Sequence, residues 1–144
     1  MTGDQRQTTA ARLDPITGFG DIGALETAAP VAIASAQRAG HPLSVVLLTL
    51  ADADDADARD RSLSLALRAS VRATDQLFRI DASRIVLLLP MTTRRGVTTV
   101  MTRVGRLCDR PFTWGVATSP KDGTEIYALL VLARSRERAD TFFA

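Results

Sequence analysis

RATDQLFRIDASRIVLLLP, residues 72–90, is a strand pair closed by a polar tip. Residues 85–89 are apolar throughout, which predicts a strand buried on both faces. Residues 76–80 supply its neighbour, and Asp81-Ala82-Ser83-Arg84 forms the turn between them. A tip of this kind, short and polar and held by a buried strand, is a place where a fold displays chemistry.

The chain around this hairpin has 144 residues, 46% hydrophobic and 24% charged, which suits one globular core. Its net charge is +2, and the basic residues read as scattered, without interleaved aromatics, so nucleic acid is not an expected partner. No apolar run reaches bilayer length, and no basic-then-apolar leader opens the chain. With a single cysteine, Cys108, an internal disulfide is excluded, and a cytoplasmic location is the expectation.

Residues 1–12 are polar and irregular, and are expected to form a flexible tail. A helix is predicted from Asp21 or Ile22 to Arg38, either kinked at Pro30 or starting afresh there. Residues 43–50, LSVVLLTL, read as a buried strand. The acidic run from Asp52 to Asp60 reads as a solvated loop leading into a helix over 59–72. A helix over 95–107 places Val97, Val100, Met101 and Val104 on one face. A strand over 111–118 and a helix over 124–140, capped by Thr124, complete the order. His41 is expected in a surface loop and Trp114 in the core.

These segments together resemble the GGDEF family, the diguanylate cyclases. Arg72, Asp75, Arg79, Ile80 and Pro90 fall in register with the family's block around its signature. Asp14-Pro15-Ile16-Thr17-Gly18-Phe19 is similar to its opening D-x-L-T-G-L, and Gly40 with Pro42-Leu43-Ser44 to its G-x-P-L-S strand. Trp114-Gly115-Val116-Ala117 with Pro120, Asp122 and Gly123 is similar to its closing G-V-A-x-x-P-x-D-G. The resemblance implies an α/β (α+β) fold of nucleotidyl-cyclase palm type. It comprises a central mixed sheet flanked by helices, in a single domain over residues 13–144.

The same resemblance implies lost catalysis. Asp81-Ala82-Ser83-Arg84-Ile85 stands where the family has Gly-Gly-Asp-Glu-Phe, and Thr49 stands at its metal-binding Asp. Divalent cations of this chemistry need hard anionic oxygens, so no metal ligand, no cofactor and no enzymatic activity are expected. The segment from Thr49 to Arg72 is also shorter than the family's guanine-reading loop by about nine residues. What remains is the family's product site for cyclic di-GMP, R-x-x-D plus an arginine on the next helix, matched by Arg72, Asp75 and Arg103. Arginine forks match guanine O6 and N7, and an Asp accepts from the base's N–H groups. Against this stands a plainer reading, in which Arg72 and Asp75 are a helix-end pair and Arg103 is solvated. The expected function is thus an inactive GGDEF-like cyclic di-GMP receptor, whose stacked ligand would bridge a homodimer. The alternative is a nucleotide-independent scaffold for an unidentified bacterial protein partner.

Overall fold

The run LSVVLLTL becomes β1 (Leu43–Leu50), the strand on which the rest is built. It alternates between two apolar layers. Leu43, Val45 and Leu47 belong to one buried cluster, and Val46, Leu48 and Leu50 to the other. Two-sided burial explains why the strand has no polar alternation. The computed structural model describes residues 13–137, so the expected tail over residues 1–12 lies outside the described residues.

β1 lies between β3 (Arg84–Pro90) and β4 (Phe112–Ser119), and β2 (Gln76–Asp81) pairs with the far side of β3, giving the order β2-β3-β1-β4. All neighbouring strands are antiparallel. The expected mixed sheet is corrected in this respect: among the described residues the one parallel pairing is the isolated bridge between Gly20 and Phe78. The reason is topological. β1 and β2, joined by a helix, run the same way but flank β3; β3 and β4, also joined by a helix, flank β1. Each crossover therefore links parallel strands that are separated by an antiparallel one.

Helices α1 (Ile22–Ala39) and α4 (Ile126–Ser135) cover the Val45 face, while α2 (Ala56–Ser70) and α3 (Arg94–Leu107) cover the Leu48 face. Of the two readings at Pro30, the helix runs through: Pro30 sits on the exposed side, where water can serve the Glu26 carbonyl that proline cannot bond. α2 starts three residues before the expected Arg59, because Asp55 caps it by accepting from the Ala58 N–H at 3.0 Å. α4 is capped by Glu125 rather than Thr124 and ends at Ser135; the expected end at Asp140 lies outside the described residues. Gly115 is required by this packing, since a Cβ there would lie 1.8 Å from the Ala133 carbonyl oxygen. Trp114 is buried in the core as expected.

Candidate functional site

The polar tip between β2 and β3 is bound into the fold through its backbone. Asp81 Oδ1 accepts from the Ser83 N–H at 2.9 Å, and the Ser83 carbonyl accepts from the Leu50 N–H at 2.7 Å. The Ala82 carbonyl accepts from Arg59 Nη2 at 2.8 Å and from Arg79 Nη2 at 3.3 Å. Arg59 also donates from Nη1 to the Ala51 carbonyl at 2.8 Å, and from Nε to Asp60 Oδ1 at 3.0 Å. Its guanidinium thus bridges the end of β1 and the hairpin turn. Arg79 extends the cluster, lying 2.5 Å from Asp60 Oδ2 and 3.2 Å from Asp14 Oδ1. Two arginines and two aspartates balance in a largely buried set.

Asp14 shows how well its charge is met. Burial works to raise its carboxyl pKa, but bonds from the Thr17 hydroxyl and N–H, with the Arg79 guanidinium, outweigh it and hold the carboxyl below the ordinary Asp value. Asp60 corrects the reading of a solvated acidic run, because its side chain is fully buried on α2. Arg59 and Asp60 are the residues sequence reasoning missed. Their partners, Asp14, Arg79 and the Ala51 and Ala82 carbonyls, are distant in the chain or are backbone atoms.

The five signature positions divide between core and tip. Ile85 is buried beneath α2 and α3. Arg84 is the Cα partner of Thr49, so the two share the other face. Its Nη1 is 4.0 Å from Asp81 Oδ2, and its buried Nε has no hydrogen-bond partner within the protein. Thr49 does not face an open site, for its hydroxyl donates to Glu137 Oε1 at 2.6 Å. The Thr113 hydroxyl donates to Glu137 Oε2 at 3.2 Å, so one carboxylate ties β1 and β4 together. Among the described residues no three His, Cys, Asp or Glu side chains gather as a metal centre would.

At the other end of β2 the arrangement differs. Asp75 Oδ2 accepts from the Arg72 N–H at 2.7 Å, with Arg72 Nε at 3.8 Å. Arg72 Nη2 is held by the Pro90 carbonyl and the Thr92 hydroxyl, each at 2.7 Å. Thr92 is positioned in turn by its own bond to Pro90 at 2.9 Å. The Arg72 side chain is nevertheless 55% exposed, whereas that of Asp75 is 2% exposed. Burial pushes the Asp75 carboxyl up, against the lesser opposing effects of the Arg72 N–H and charge. Its Oδ1 is buried with no hydrogen-bond partner within the protein.

Arg72 and Asp75 line one hollow of about 330 Å³, together with Gly18, Phe19, Gly20 and Arg68. Arg68 lies over the Phe19 ring at 4.8 Å and donates to the Thr17 carbonyl at 3.0 Å. Arg103 does not line this hollow. It donates to the Ser70 carbonyl at 3.0 Å, satisfying the end of α2, and faces a separate surface with Arg94, Arg95 and Arg106. These four arginines therefore gather on one side of α3 and are not scattered. The signal was in the sequence, where RRGVTTVMTRVGR repeats its polar pairs every four residues. Cys108 is buried, and burial pushes its thiol pKa up, which does not suit a nucleophile. No helix among the described residues is long and apolar enough to cross a membrane.

No protein-family model and no curated protein matches the chain. Solved structures do. The GGDEF domain of FimX from Pseudomonas aeruginosa superposes with a TM-score of 0.75 at 15% identity, over 87% of this chain and 90% of that one. A sensory box/GGDEF family protein from Caulobacter crescentus gives 0.73 at 19% identity, over 87% and 94%. The GGDEF domain of DgcB from Caulobacter crescentus, solved in complex with c-di-GMP, gives 0.73 at 14% identity, over 87% and 84%. Antiparallel strand order, helix placement and these superpositions agree: the chain has the fold of a GGDEF domain.

Proposed function

We propose that this chain is a non-catalytic GGDEF-fold domain that binds cyclic di-GMP through Arg72 and Asp75. The observation that carries the reading is the buried, unpartnered Asp75 Oδ1 beside a half-exposed Arg72 fork in one hollow. A guanine base offers N–H donors along one edge and O6 and N7 acceptors along another. A carboxylate and a guanidinium set side by side complement both. Arg68, laid over the buried Phe19 ring, adds a flat guanidinium face on which a base can stack.

The hairpin end supports the loss of catalysis. Joining two GTP molecules calls for divalent cations held by oxygen anions. The matched positions do not fit such an ion: Thr49 donates its hydroxyl hydrogen bond to Glu137, Ser83 is a neutral turn residue, and Arg84 brings a permanent cation. Arg59, laid between the Ala51 and Ala82 carbonyls, fills the approach between strand end and turn.

Calorimetry of the full chain with cyclic di-GMP tests the binding, and absence of heat at micromolar ligand rejects it. Incubation with GTP and Mg²⁺ tests the catalysis, and formation of cyclic di-GMP rejects that part. The nucleotide-independent scaffold is the second reading. It is favoured by Arg103, which is tied to Ser70 and set apart from the Asp75 hollow. A partner captured equally with and without nucleotide would support it.

A further inference from the structure

We propose that the hollow between the start of α3 and the β4–α4 loop binds a small phosphate-bearing anion. It measures about 420 Å³, the scale of one small-molecule ligand and not of a polymer. It lies at the far end of β1 from the signature tip, about 20 Å away at ~3.3 Å per residue. The register fixes this, since Leu43 pairs with Ser119 at one end and Thr49 with Arg84 at the other.

Charge is the first argument. Arg94, Arg95, Lys121 and Arg136 line the hollow, with Asp122 as the only acid among its lining residues. Asp122 is already committed: it accepts from Arg136 at 2.9 and 3.3 Å and from the Thr118 N–H at 2.9 Å. Arg94, Arg95 and Lys121 form no ion pair within the described residues; Lys121 shares the field of Asp122 with Arg136, and Arg94 and Arg95 remain unmatched.

The helix is the second argument. α3 has 14 residues and no acid in its first turn; instead it starts with two arginines, against its own dipole. Thr93 Oγ1 takes the Gly96 N–H at 3.2 Å. The N–H groups of Arg94 and Arg95 have no acceptor within the helix. Helix dipole and side chains thus favour the same sign of ligand.

The third observation is independent of both. Ser119 is 1% exposed and lines the hollow, and its Oγ has no hydrogen-bond partner within the protein. The neighbouring hydroxyls are spoken for, because Ser44 donates to the Thr92 carbonyl at 2.6 Å and Thr118 pairs with Ser44 at 3.0 Å. A buried hydroxyl without a partner, in the wall of a hollow lined by guanidinium groups, is what a phosphoryl oxygen would complete.

The test is titration of the full chain with pyrophosphate at constant ionic strength, read by calorimetry and amide chemical shifts. Inorganic phosphate and ADP are run as parallel arms. Saturable binding that moves the Ser119 and Gly96 amides is expected. Arg94→Gln with Arg95→Gln should weaken it by about tenfold or more, and Ser119→Ala by about threefold, the scale of lost charge-assisted and neutral hydrogen bonds. Both arginines are exposed, so thermal melting should be unchanged. Arg72→Ala should leave pyrophosphate binding intact, which separates this site from the Asp75 hollow. ADP binding more tightly than phosphate identifies a nucleotide tail, and equal affinity identifies the free anion; either supports the site. The proposal is overturned by no saturable binding of any probe at millimolar concentration. Equal competition by chloride, unchanged affinity in the double variant, or loss of binding in Arg72→Ala would overturn it as well.

Discussion

The two ends of β2 use the same residue types to opposite effect. At its finish, the Asp81–Arg84 tip is surrounded by Arg59, Arg79, Asp60 and Asp14, whose charges cancel and whose forks are bonded to turn and strand carbonyls. Of the buried polar atoms there without a hydrogen-bond partner, Asp60 Oδ2 is ion-paired with Arg79 at 2.5 Å, which leaves two donors on cations, Arg79 Nε and Arg84 Nε. At the start of β2 the atom left over is an acceptor on an anion, Asp75 Oδ1. The leftovers decide what each end can do. Spare guanidinium donors repel a metal ion, whereas a spare carboxylate oxygen beside an exposed fork invites a ligand with N–H groups.

The largest expected effect comes from unbalancing the finished end. Arg59→Met should remove about 3–5 kcal/mol of stability, because it strips three hydrogen bonds and leaves buried Asp60 with Arg79 alone. Urea unfolding measures it, and a loss under about 1 kcal/mol would show that the cluster is not a structural clamp. Next comes the unfinished end. Arg72→Ala should weaken cyclic di-GMP by about 10- to 100-fold, the worth of one arginine–base contact, while Ser83→Ala leaves affinity unchanged. Equal losses in both variants would move the site to the tip.

Asp75 gives the comparison a pH dependence. Its folded pKa is raised above the unfolded value, so the native state holds the proton more tightly than the unfolded chain. Stability should therefore fall as pH rises from the ordinary Asp range through the raised folded value. Ligand affinity should move the other way, since a protonated carboxyl loses acceptor capacity. Acidification from neutral pH should weaken cyclic di-GMP binding while stabilising the domain, and Asp75→Asn should flatten both responses. Calorimetry and thermal melting across that range would show a common direction if Asp75 is not the responding group.

The sheet was legible because each strand has a strong local signature. The largely apolar runs of β1 and β3 and the Gly and Pro punctuation placed every strand within about two residues. What stayed hidden depended on partners far along the chain. Asp52 to Asp60 reads as one acidic loop, yet Asp55 became a cap and Asp60 a buried partner of Arg79. No period or composition signals that a charge will be matched across a sheet. Arg103 followed the opposite course: motif spacing grouped it with Arg72, but its side chain reached the nearer Ser70 carbonyl. Hollows such as the one beside Ser119 are also invisible in sequence, because they arise where a strand end, a helix start and a loop meet.

The smallest expected effect tests whether a balanced pair at a third place behaves like the tip or like the turn. Asp122 and Arg136 pin the end of α4 to β4, with Arg136 Nη1 also donating to the Val116 carbonyl at 3.0 Å. The Arg136 bonds pull the Asp122 carboxyl pKa down more than burial raises it. A depressed folded value means that the stabilisation is full above the ordinary Asp range and is lost as pH falls through the depressed value. The Arg136 and Asp122 side chains are 28% and 16% exposed, so solvent screens part of the attraction. Asp122→Asn should therefore cost about 1 kcal/mol at pH 7, and the variant should converge with the parent in acid. Denaturant unfolding at both pH values separates the cases. A cost that persists in acid would mean that shape, and not charge, holds α4 in place, and the link between balanced charge and structural role drawn at the tip would not extend here.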